Sequence, residues 1–444
     1  MNADVSDGLT RDDLEAYWMP YTGNRDFKDK PRMIVGGDGC HYLTADGRRI
    51  FDSLSGMWCC GFGHNRREIA AAVSQQLATL DYAPAFQFGH PLAFQLANRV
   101  KAMTPADLDY VFFCNSGSEA VDTSLKMARA YWHLKGEPKR TKFIGRGKAY
   151  HGVNIGGTSV GGIEPNRKPY GKLVDTAHLS HTLLPENAFS RGLPEKGAEL
   201  ADELEELVAR HDASNIAAVI VEPLAGSGGV ILPPRGYLER LRELCTKHDI
   251  LLIFDEVITG FGRTGQNFAA DTFGVTPDIM CLAKALTNGS VPMGAVVART
   301  KIYATFMAAG GPDYAIEFPH GYTYSAHPVA CAAGLAALDI FEQEKLAERC
   351  GELAPYFEEA IHGLQGLPYV VDIRNFGLTG AIQLDAYPGE PARRPVEVAM
   401  GCWDKGLYVR YAGDCLALAP PFIAEKDDID FTVSVIGDVI GALS

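Results

Sequence analysis

The chain has 444 residues, of which 47% are hydrophobic and 22% are charged. This composition is typical of a soluble globular protein, and the length exceeds what one hydrophobic core usually serves, so we predict two domains. The formal net charge of −14 argues against binding to nucleic acid or to an anionic membrane surface, because either would need a basic patch. Small acidic substrates are not excluded, since one buried arginine can bind a carboxylate inside an acidic protein.

The ten cysteines are scattered through apolar segments and form neither a CxxC pair nor a short disulfide framework. We therefore predict reduced, mostly buried thiols in a cytoplasmic protein, and we assign no metal site. Residues 1–8 lack the basic and apolar regions of a signal peptide. No apolar run approaches the ~20 residues that span a bilayer, so we predict no membrane segment.

Residues 11–60 alternate short apolar runs with glycine-containing turns, a pattern that predicts a small antiparallel meander. Between about residues 66 and 320, apolar runs alternate with segments of helical periodicity. Runs that are apolar throughout indicate strands buried on both faces, as in a mostly parallel sheet covered by helices. The six runs are Tyr110–Phe113, Lys142–Ile144, Ala217–Val221, Leu251–Phe254, Ile279–Leu282 and Gly294–Val297.

Helices are predicted between these strands where apolar residues recur every three or four positions. One such face consists of Val121, Leu125, Ala128 and Trp132. After an alanine-rich helical segment at 328–343, the chain returns to alternating strands, for example Val370–Arg374 and Gly406–Arg410.

The predicted fold class is α/β, with a division into three parts. Residues 66–326 would form a large domain, and residues 327–444 a smaller α+β domain. The N-terminal segment, residues 1–65, would pack with the small domain.

A carboxylate and a lysine stand at the ends of two apolar runs. Asp255 follows Leu251–Phe254, and Lys284 comes shortly after Ile279–Leu282. A pyridoxal phosphate enzyme needs such a pair: the lysine amine binds the cofactor as a Schiff base, and the aspartate keeps the pyridine nitrogen protonated so that the ring can accept electrons. The alternative interpretation is that both are ordinary solvated side chains.

Ser116, Gly117 and Ser118 lie between an apolar strand and an amphipathic helix. Backbone N–H groups at a helix N-terminus bind phosphate, glycine lets the backbone approach closely, and the two hydroxyls can add hydrogen bonds. The alternative is a plain helix N-cap with no ligand.

An aromatic residue and a valine are candidates for the two faces of a planar heterocycle. Tyr150 precedes His151 and Gly152 at the end of a predicted strand and could stack on such a ring. Val257, two residues beyond Asp255, should point to the same side of a strand and pack on the opposite ring face. A core tyrosine in a turn is the alternative for Tyr150.

Taken together, these motifs resemble the class III pyridoxal phosphate aminotransferases. The segments that match in order and spacing are Asn115–Ala120, Tyr150–Gly152, Asp255–Gly265, Ala283–Ala285 and Tyr322–His327. The resemblance extends from roughly residue 14 to the C-terminus. Within the family the chain most resembles the β-alanine–pyruvate, or ω-amino acid–pyruvate, aminotransferases, for example in Trp18–Pro20, Asp52–Trp58 and Phe318–Ser325.

The resemblance implies a fold type I pyridoxal phosphate transferase, with a mostly parallel seven-stranded sheet in the large domain. It implies a ping-pong reaction in which an ω-amino acid or amine gives its amino group to the cofactor, and pyruvate then takes it and leaves as alanine. Pyridoxal 5'-phosphate is the expected cofactor. A homodimer, or a dimer of dimers, with shared active sites is the expected assembly.

The resemblance also implies roles for individual residues. Lys284 would hold the cofactor and move the proton at the substrate carbon, and Asp255 would pair with the ring nitrogen. The other expected cofactor contacts are Ser116, Gly117, Ser118, Tyr150, Glu222, Val257 and, from a neighbouring subunit, Thr323. For Glu222, an acid at a strand end on the surface is the alternative.

Substrate choice is expected to depend on an aromatic wall and one cation. The expected substrate contacts are Trp58, Leu54, Phe86, Tyr150 and Arg410. In the family the matching arginine grips a substrate carboxylate. The β-alanine–pyruvate relatives carry a glutamine near it where this chain has Ala417, which removes a polar contact and puts strict β-alanine preference in doubt.

Other functions remain possible from the sequence. An aminomutase or racemase would keep the cofactor and change the reaction. A nucleotide-binding dehydrogenase is disfavoured because no GxGxxG follows the first apolar strand of the α/β region. A non-enzymatic protein on the same fold is disfavoured by Lys284 and Asp255. The donor stays open among β-alanine, taurine-like ω-amino acids, polyamines and arylalkylamines, as does selectivity for (S)-amines.

Overall fold

The computed structural model describes residues 9–171 and 173–443. The prediction of no signal peptide rests on residues 1–8, which lie outside the described residues. The helices are α1 (Asn24–Asp29), α2 (Ser55–Trp58), α3 (Arg67–Thr79), α4 (Pro91–Met103), α5 (Gly117–Leu134), α6 (Ile155–Val160), α7 (Glu164–Arg167), α8 (Glu203–His211), α9 (Tyr237–Lys247), α10 (Ala269–Phe273), α11 (Thr300–Met307), α12 (Pro328–Gln343), α13 (Leu346–His362), α14 (Arg393–Asp404) and α15 (Lys426–Gly441). In the described chain no helix is both long and apolar enough to cross a bilayer.

The strands form one large sheet and two small ones. They are β1 (Ile34–Asp38), β2 (His41–Thr44), β3 (Arg49–Asp52), β4 (Leu108–Cys114), β5 (Lys142–Arg146), β6 (Thr176–Leu179), β7 (Ile216–Val221), β8 (Leu251–Asp255), β9 (Ile279–Leu282), β10 (Gly294–Arg299), β11 (Val370–Asn375), β12 (Gly380–Leu384), β13 (Leu407–Tyr408), β14 (Arg410–Ala412) and β15 (Cys415–Leu418).

The central sheet has seven strands in the order β4-β10-β9-β8-β7-β5-β6, and β10 is the one that runs antiparallel to its neighbours. Every residue of β7, β8 and β9 is buried, which explains why these strands are apolar throughout. The prediction of a mostly parallel seven-stranded sheet is confirmed. The apolar runs predicted six of the strands but not β6, which is an edge strand with the mixed sequence Thr-Ala-His-Leu.

Helix α5 packs along this sheet through the face predicted from its periodicity. Val121, Leu125, Ala128 and Trp132 are all buried. The Trp132 indole Nε1 donates a hydrogen bond to the Ala217 carbonyl at 2.8 Å, so the helix is tied to β7 by a polar bond as well as by apolar packing.

The two small sheets lie in the N- and C-terminal parts of the chain. One has the order β1-β2-β3-β13, and its first three strands form the predicted antiparallel meander. The other has the order β11-β12-β15-β14. Because β13 comes from the C-terminal part and pairs with β3, the meander is joined to that part by backbone hydrogen bonds. The domain boundaries at residues 65 and 326 stay a prediction.

The prediction of one strand over Gly406–Arg410 is wrong. The segment divides at Val409 into β13, which joins the meander, and β14, which joins the C-terminal sheet. The alternating pattern shows that both halves are extended, but it does not show that they have different partners.

Strands β4, β5, β7, β8 and β9 are parallel, so their carboxyl ends meet at one edge of the central sheet. The turns that follow these ends carry the predicted cofactor contacts. In open α/β sheets ligands bind at this edge, because loops and helix N-termini converge there.

We expect Leu252→Ala to lower the free energy of unfolding by about 2–5 kcal/mol, because it opens a cavity in the middle of the central sheet. Leu252 is fully buried in β8. Urea denaturation of the cofactor-free protein would measure the loss. Val371→Ala is the control, since Val371 is 43% exposed on β11. Equal effects of the two substitutions would contradict the placement of Leu252 in the core.

Candidate active site

A small cavity of about 150 Å³ lies at the carboxyl edge of the central sheet. It is lined by Ser116, Gly117, Ser118, Tyr150, His151, Gly152, Glu222, Asp255, Val257, Ile258 and Lys284. The predicted cofactor residues, apart from Thr323, are therefore brought together at one place.

The N-terminus of α5 forms one side of this cavity. The Ser116 hydroxyl accepts a hydrogen bond from the Glu119 N–H at 3.1 Å, and the Glu119 carboxylate accepts one from the Asn115 N–H at 2.7 Å. Ser116 is thus the N-cap of α5, and the Glu119 carboxylate holds the backbone one residue before the cap. Because helix geometry gives the N–H groups of Gly117 and Ser118 no intrahelical acceptor, they are available to an anion at the helix N-terminus.

Two glycines let the backbone come close at the cavity wall. A Cβ atom on Gly117 would lie 3.0 Å from a methyl group of Val257. A Cβ atom on Gly152 would lie 2.5 Å from the Ser118 hydroxyl, and Gly152 has a φ of +90°. Ser118 in turn accepts a hydrogen bond from the Val153 N–H at 3.1 Å, so the two turns are locked together.

Asp255 ends β8 and is held by two donors. Its carboxylate lies 2.8 Å from the His151 Nδ1 atom and accepts a hydrogen bond from the Val257 N–H at 3.2 Å. Both Asp255 and His151 are buried. A buried carboxylate needs such partners, because removing it from water without them is costly.

Glu222 directly follows β7 and is also buried. Its carboxylate accepts hydrogen bonds from the Tyr150 N–H at 2.9 Å and from the Gly226 N–H at 3.1 Å. Burial raises the pKa of Glu222 to about 7, and the nearby Asp255 charge acts in the same direction. The alternative of a surface acid is therefore wrong: Glu222 lines the cavity and fixes the Tyr150 backbone.

Lys284 begins a short 3-10 helix, Lys284–Thr287, directly after β9. Its φ is +50°, in the left-handed region that a non-glycine residue rarely adopts, and such strain clusters at functional sites. Burial lowers the pKa of the Lys284 amine, and the Arg410 charge acts in the same direction. A neutral amine is the form that acts as a nucleophile or base.

Trp58 and Leu54 lie beside the lysine, on and next to α2. The Lys284 Nζ atom is 5.5 Å from the centre of the Trp58 ring. Leu54 and Trp58 are buried in one apolar cluster, and the Trp58 Nε1–H is buried without an acceptor among the described residues. The turn itself is held by Asp52, which accepts hydrogen bonds from the backbone N–H groups of Leu54 and Gly56.

Arg410 is half-buried at the start of β14, directly opposite Ala417 of β15. Among the described residues no carboxylate lies within 4 Å of its guanidinium group. It lines a second cavity, of about 560 Å³, together with Gly56 of α2 and Tyr21 of the N-terminal segment. The residue predicted to select the substrate is thus close to the lysine and faces open space.

Phe86 and Thr323 are not brought to the lysine within one chain. Phe86 is 52% exposed, and Thr323 is also exposed. The two lie near each other, because a Cβ atom on Gly321 would be 2.7 Å from the Phe86 ring.

Two details of the site differ from the sequence prediction. Val257 lines the cavity as expected, but it is not on the strand, because β8 ends at Asp255 and Val257 lies in the turn. The sequence pattern predicts no role for His151, although it is the side-chain partner of Asp255. Its place between Tyr150 and Gly152 was visible in the sequence, but the partner is 104 residues away.

The cavity fits pyridoxal phosphate by its donors and acceptors. The α5 N-terminus suits the phosphate, the Asp255 carboxylate suits a protonated pyridine nitrogen, and Tyr150 and Val257 both line the cavity. Among the described residues there is no group of three or more His, Cys, Asp or Glu side chains arranged to hold a metal ion.

We expect Glu222→Gln to remove a pH-dependent loss of stability. In the unfolded chain the Glu222 pKa is near 4.5, and in the folded chain it is about 7. Between these values the folded chain keeps a proton that the unfolded chain has lost, so the free energy of unfolding falls by about 3 kcal/mol as the pH rises through this window. Urea denaturation of the cofactor-free protein at pH 5 and pH 8 would measure the fall.

The matched control is Glu195→Gln, which changes an exposed carboxylate. The Glu195 variant should keep the wild-type dependence on pH, and the Glu222 variant should have a smaller one. The same dependence in all three proteins would contradict the raised pKa of Glu222.

Comparison with known proteins agrees with the motifs and the geometry. The family model described as aminotransferase class III matches residues 23–440. The omega-amino acid–pyruvate aminotransferase of Pseudomonas putida is 57% identical over 432 residues, which cover 97% of this chain and 96% of the relative. The omega-aminotransferase of Caulobacter vibrioides is 55% identical over 97% of this chain and 98% of the relative.

Among solved structures, an amine transaminase from an uncultivated Pseudomonas species in its PLP-bound form matches with a TM-score of 0.89 and 37% identity. The match covers 96% of this chain and 98% of that one. An (S)-enantioselective omega-transaminase from Thermomicrobium roseum matches with a TM-score of 0.90, at 34% identity and 96% coverage of both chains. The family and the fold predicted from the sequence are confirmed: the chain belongs to the class III aminotransferases.

Proposed function

We propose that the chain is a pyridoxal phosphate-dependent aminotransferase that moves an amino group from a β-alanine-like ω-amino acid, or an amine, to pyruvate and so forms alanine. The observation that carries the proposal is the convergence of the Lys284 amine, the Asp255 carboxylate and the α5 N-terminus on one cavity. Relatives at 57% and 56% identity carry the names omega-amino acid–pyruvate and beta-alanine–pyruvate aminotransferase, which supports this choice of substrates.

Pyridoxal phosphate, when bound, supplies a ring that withdraws electrons from the substrate carbon. Asp255 keeps a proton on the ring nitrogen, and His151 fixes the Asp255 carboxylate for this purpose. The N–H groups of Gly117 and Ser118 bind the phosphate. The Lys284 amine takes the proton from the substrate carbon and returns it, which its lowered pKa favours near neutral pH.

Arg410 binds the substrate carboxylate in this proposal. Its guanidinium has no carboxylate partner among the described residues, and it is near enough to Lys284 to influence the lysine pKa. A planar guanidinium can hold a carboxylate through two parallel hydrogen bonds. Because Ala417 stands opposite Arg410 and offers no polar group, Arg410 alone must hold the carboxylate from this side.

We also propose a homodimer with shared active sites. Three aromatic side chains near Thr323 are exposed in the single chain: Tyr82, Phe86 and Tyr324. The Tyr82 hydroxyl donates a hydrogen bond to the Thr323 carbonyl at 3.1 Å. Exposed aromatic residues gathered in this way are typical of a protein interface. A second copy on this surface would bring Phe86 and Thr323 to its own cofactor site.

A cytoplasmic location is the third part of the proposal. All ten cysteines are unpaired in the described structure. Free thiols in this number are typical of a reducing compartment.

Lys284→Ala should abolish catalytic cycling, because it removes the amine that holds the cofactor and moves the proton. Wild-type protein with pyridoxal phosphate should show a visible absorption band that bleaches on adding β-alanine and returns on adding pyruvate. Lys405→Ala, a change in the exposed lysine that directly follows α14 and pairs with Asp438, should behave like wild type. A wild-type protein that stays colourless with excess pyridoxal phosphate would overturn the proposal.

Arg410→Ala should lower kcat/KM for β-alanine and pyruvate about 10- to 150-fold, which corresponds to the loss of about 1.5–3 kcal/mol of charged hydrogen bonding. In the first half-reaction, the rate with an amine donor that lacks a carboxylate should fall less than the rate with β-alanine. Steady-state and half-reaction kinetics would measure both. Arg393→Ala, in an exposed arginine of α14, is the control. Equal losses for both kinds of donor would contradict the assigned role.

A further inference from the structure

The loop that carries Thr323 packs against α5 of its own chain. This segment, residues 318–327, is here named the threonine loop and lies between α11 and α12. Thr323 is exposed, whereas Ser325 and Ala326 are buried. The N-terminus of α5 lines the small cavity of the same chain. In the proposed homodimer, α5 therefore stands between its own cavity and the loop that reaches the cavity of the second chain.

His320, in the threonine loop, contacts two side chains of α5. Its Nε2 atom lies 2.8 Å from the Thr123 hydroxyl, and its Nδ1 atom lies 2.8 Å from the Lys126 Nζ atom. An ammonium group can only donate, so Nδ1 accepts from Lys126 and the Nε2–H donates to Thr123. The imidazole is therefore neutral and held in one tautomer. Burial lowers the pKa of His320, and the Lys126 charge acts in the same direction.

Two aromatic rings fix the orientation of the His320 side chain. The Phe112 ring of β4 stacks on it, with 5.5 Å between ring centres and 6° between ring planes. The Phe318 ring meets it edge to face at 5.3 Å. Because both faces and both nitrogens have partners, the imidazole has little freedom to rotate.

Tyr322 connects His320 to the turn around Thr323. Its ring lies edge to face against the imidazole at 5.1 Å, and its hydroxyl oxygen is 3.3 Å from that of Thr123. The Tyr322 N–H donates to the Ser325 hydroxyl at 3.1 Å, and the Ser325 N–H donates to the Tyr322 carbonyl at 3.0 Å. These two bonds close a turn that contains Thr323. The position of Thr323 thus depends on contacts that begin at α5.

The far end of the threonine loop has a separate anchor. His90 Nε2 lies 2.7 Å from the Ala326 carbonyl, and both residues are buried. Loss of the His320 side chain should therefore loosen Thr323 without releasing the whole loop.

We propose that His320 is a positioning residue, which holds Thr323 where it can bind the phosphate of the cofactor in the second subunit. The inference rests on the proposed homodimer with shared active sites and deepens it. His320 itself touches neither the substrate nor the cofactor, and it acts through the Thr323 hydroxyl.

The test compares pyridoxal phosphate with pyridoxal, which has the same ring and aldehyde but no phosphate. Both are titrated into the cofactor-free protein, and the absorbance of the bound form gives the two dissociation constants. His320→Ala should weaken pyridoxal phosphate about 5- to 10-fold, as expected for one lost hydrogen bond, and leave pyridoxal unchanged. His320→Gln should recover most of the loss, because its amide N–H can replace the Nε2–H. His133→Ala, in an exposed histidine of α5, is the control.

A double-mutant cycle shows whether His320 acts through Thr323. Thr323→Ala should also weaken pyridoxal phosphate selectively, and adding His320→Ala to it should cause no further loss. Independent, additive losses would overturn the inference, as would an equal loss for pyridoxal, which indicates a merely structural role. An unchanged affinity in Thr323→Ala would overturn the shared active site, and a wild type that binds no pyridoxal phosphate would overturn the proposed function.

A second variant keeps the inference testable if His320→Ala does not fold. Lys126 is exposed, so Lys126→Met should fold while it removes one of the two bonds to His320. It should weaken pyridoxal phosphate about 2- to 5-fold and leave pyridoxal unchanged. Lys135→Met, in the exposed lysine that directly follows α5, is the matched control. Equal affinities in the two lysine variants would contradict the role of His320.

Discussion

The contact between Asp255 and His151 is the interaction on which the arrangement of the site depends. It places a carboxylate at the end of the central strand, β8, which is otherwise apolar and fully buried, so that an unpartnered charge there would be costly. His151 lies in the turn after β5 and Asp255 at the end of β8, so the two partners are 104 residues apart in the sequence. The turn after β5 and the end of β8 are therefore fixed relative to each other before any ligand binds, and the Tyr150 backbone is held by Glu222.

The backbone around the lysine is strained rather than relaxed. Positive φ values occur at Lys284 (+50°), Ser55 (+50°) and Trp58 (+56°). Gly56, which follows Ser55 in the same turn, has a φ of +69°. Buried polar contacts maintain this conformation: Arg263 donates hydrogen bonds to the Ser55 hydroxyl and to the carbonyls of Leu378 and Pro420. Strain of this kind persists where the surroundings leave no alternative conformation. The wall of the site is thus supported from the C-terminal part of the chain.

The sequence predicts structural features that depend on neighbouring residues better than features that depend on residues far apart in the chain. Strands buried on both faces were visible as apolar runs, and the Asp255 and Lys284 positions followed from the ends of those runs. The edge strand β6 was missed because it carries no continuous apolar signal. The role of His151 and the division of the chain at Val409 depend on partners far away in sequence, so no local pattern contains them. Phe86 and Thr323 belong to a surface that one chain leaves uncovered, and their roles remain predictions.

The pairing of β13 with β3 has a consequence for the order of events during synthesis. The Ser53 hydroxyl donates to the Tyr408 carbonyl, and the two residues are 355 positions apart. On the ribosome, the N-terminal meander therefore waits with an open edge until nearly the whole chain has emerged, and an open strand edge is prone to pair with other chains. The charged residue Arg49 at the start of β3 makes this edge a poorer template for other strands. A truncation before residue 407 would leave the meander without its last strand, and a nascent chain stalled there would be the most vulnerable to aggregation.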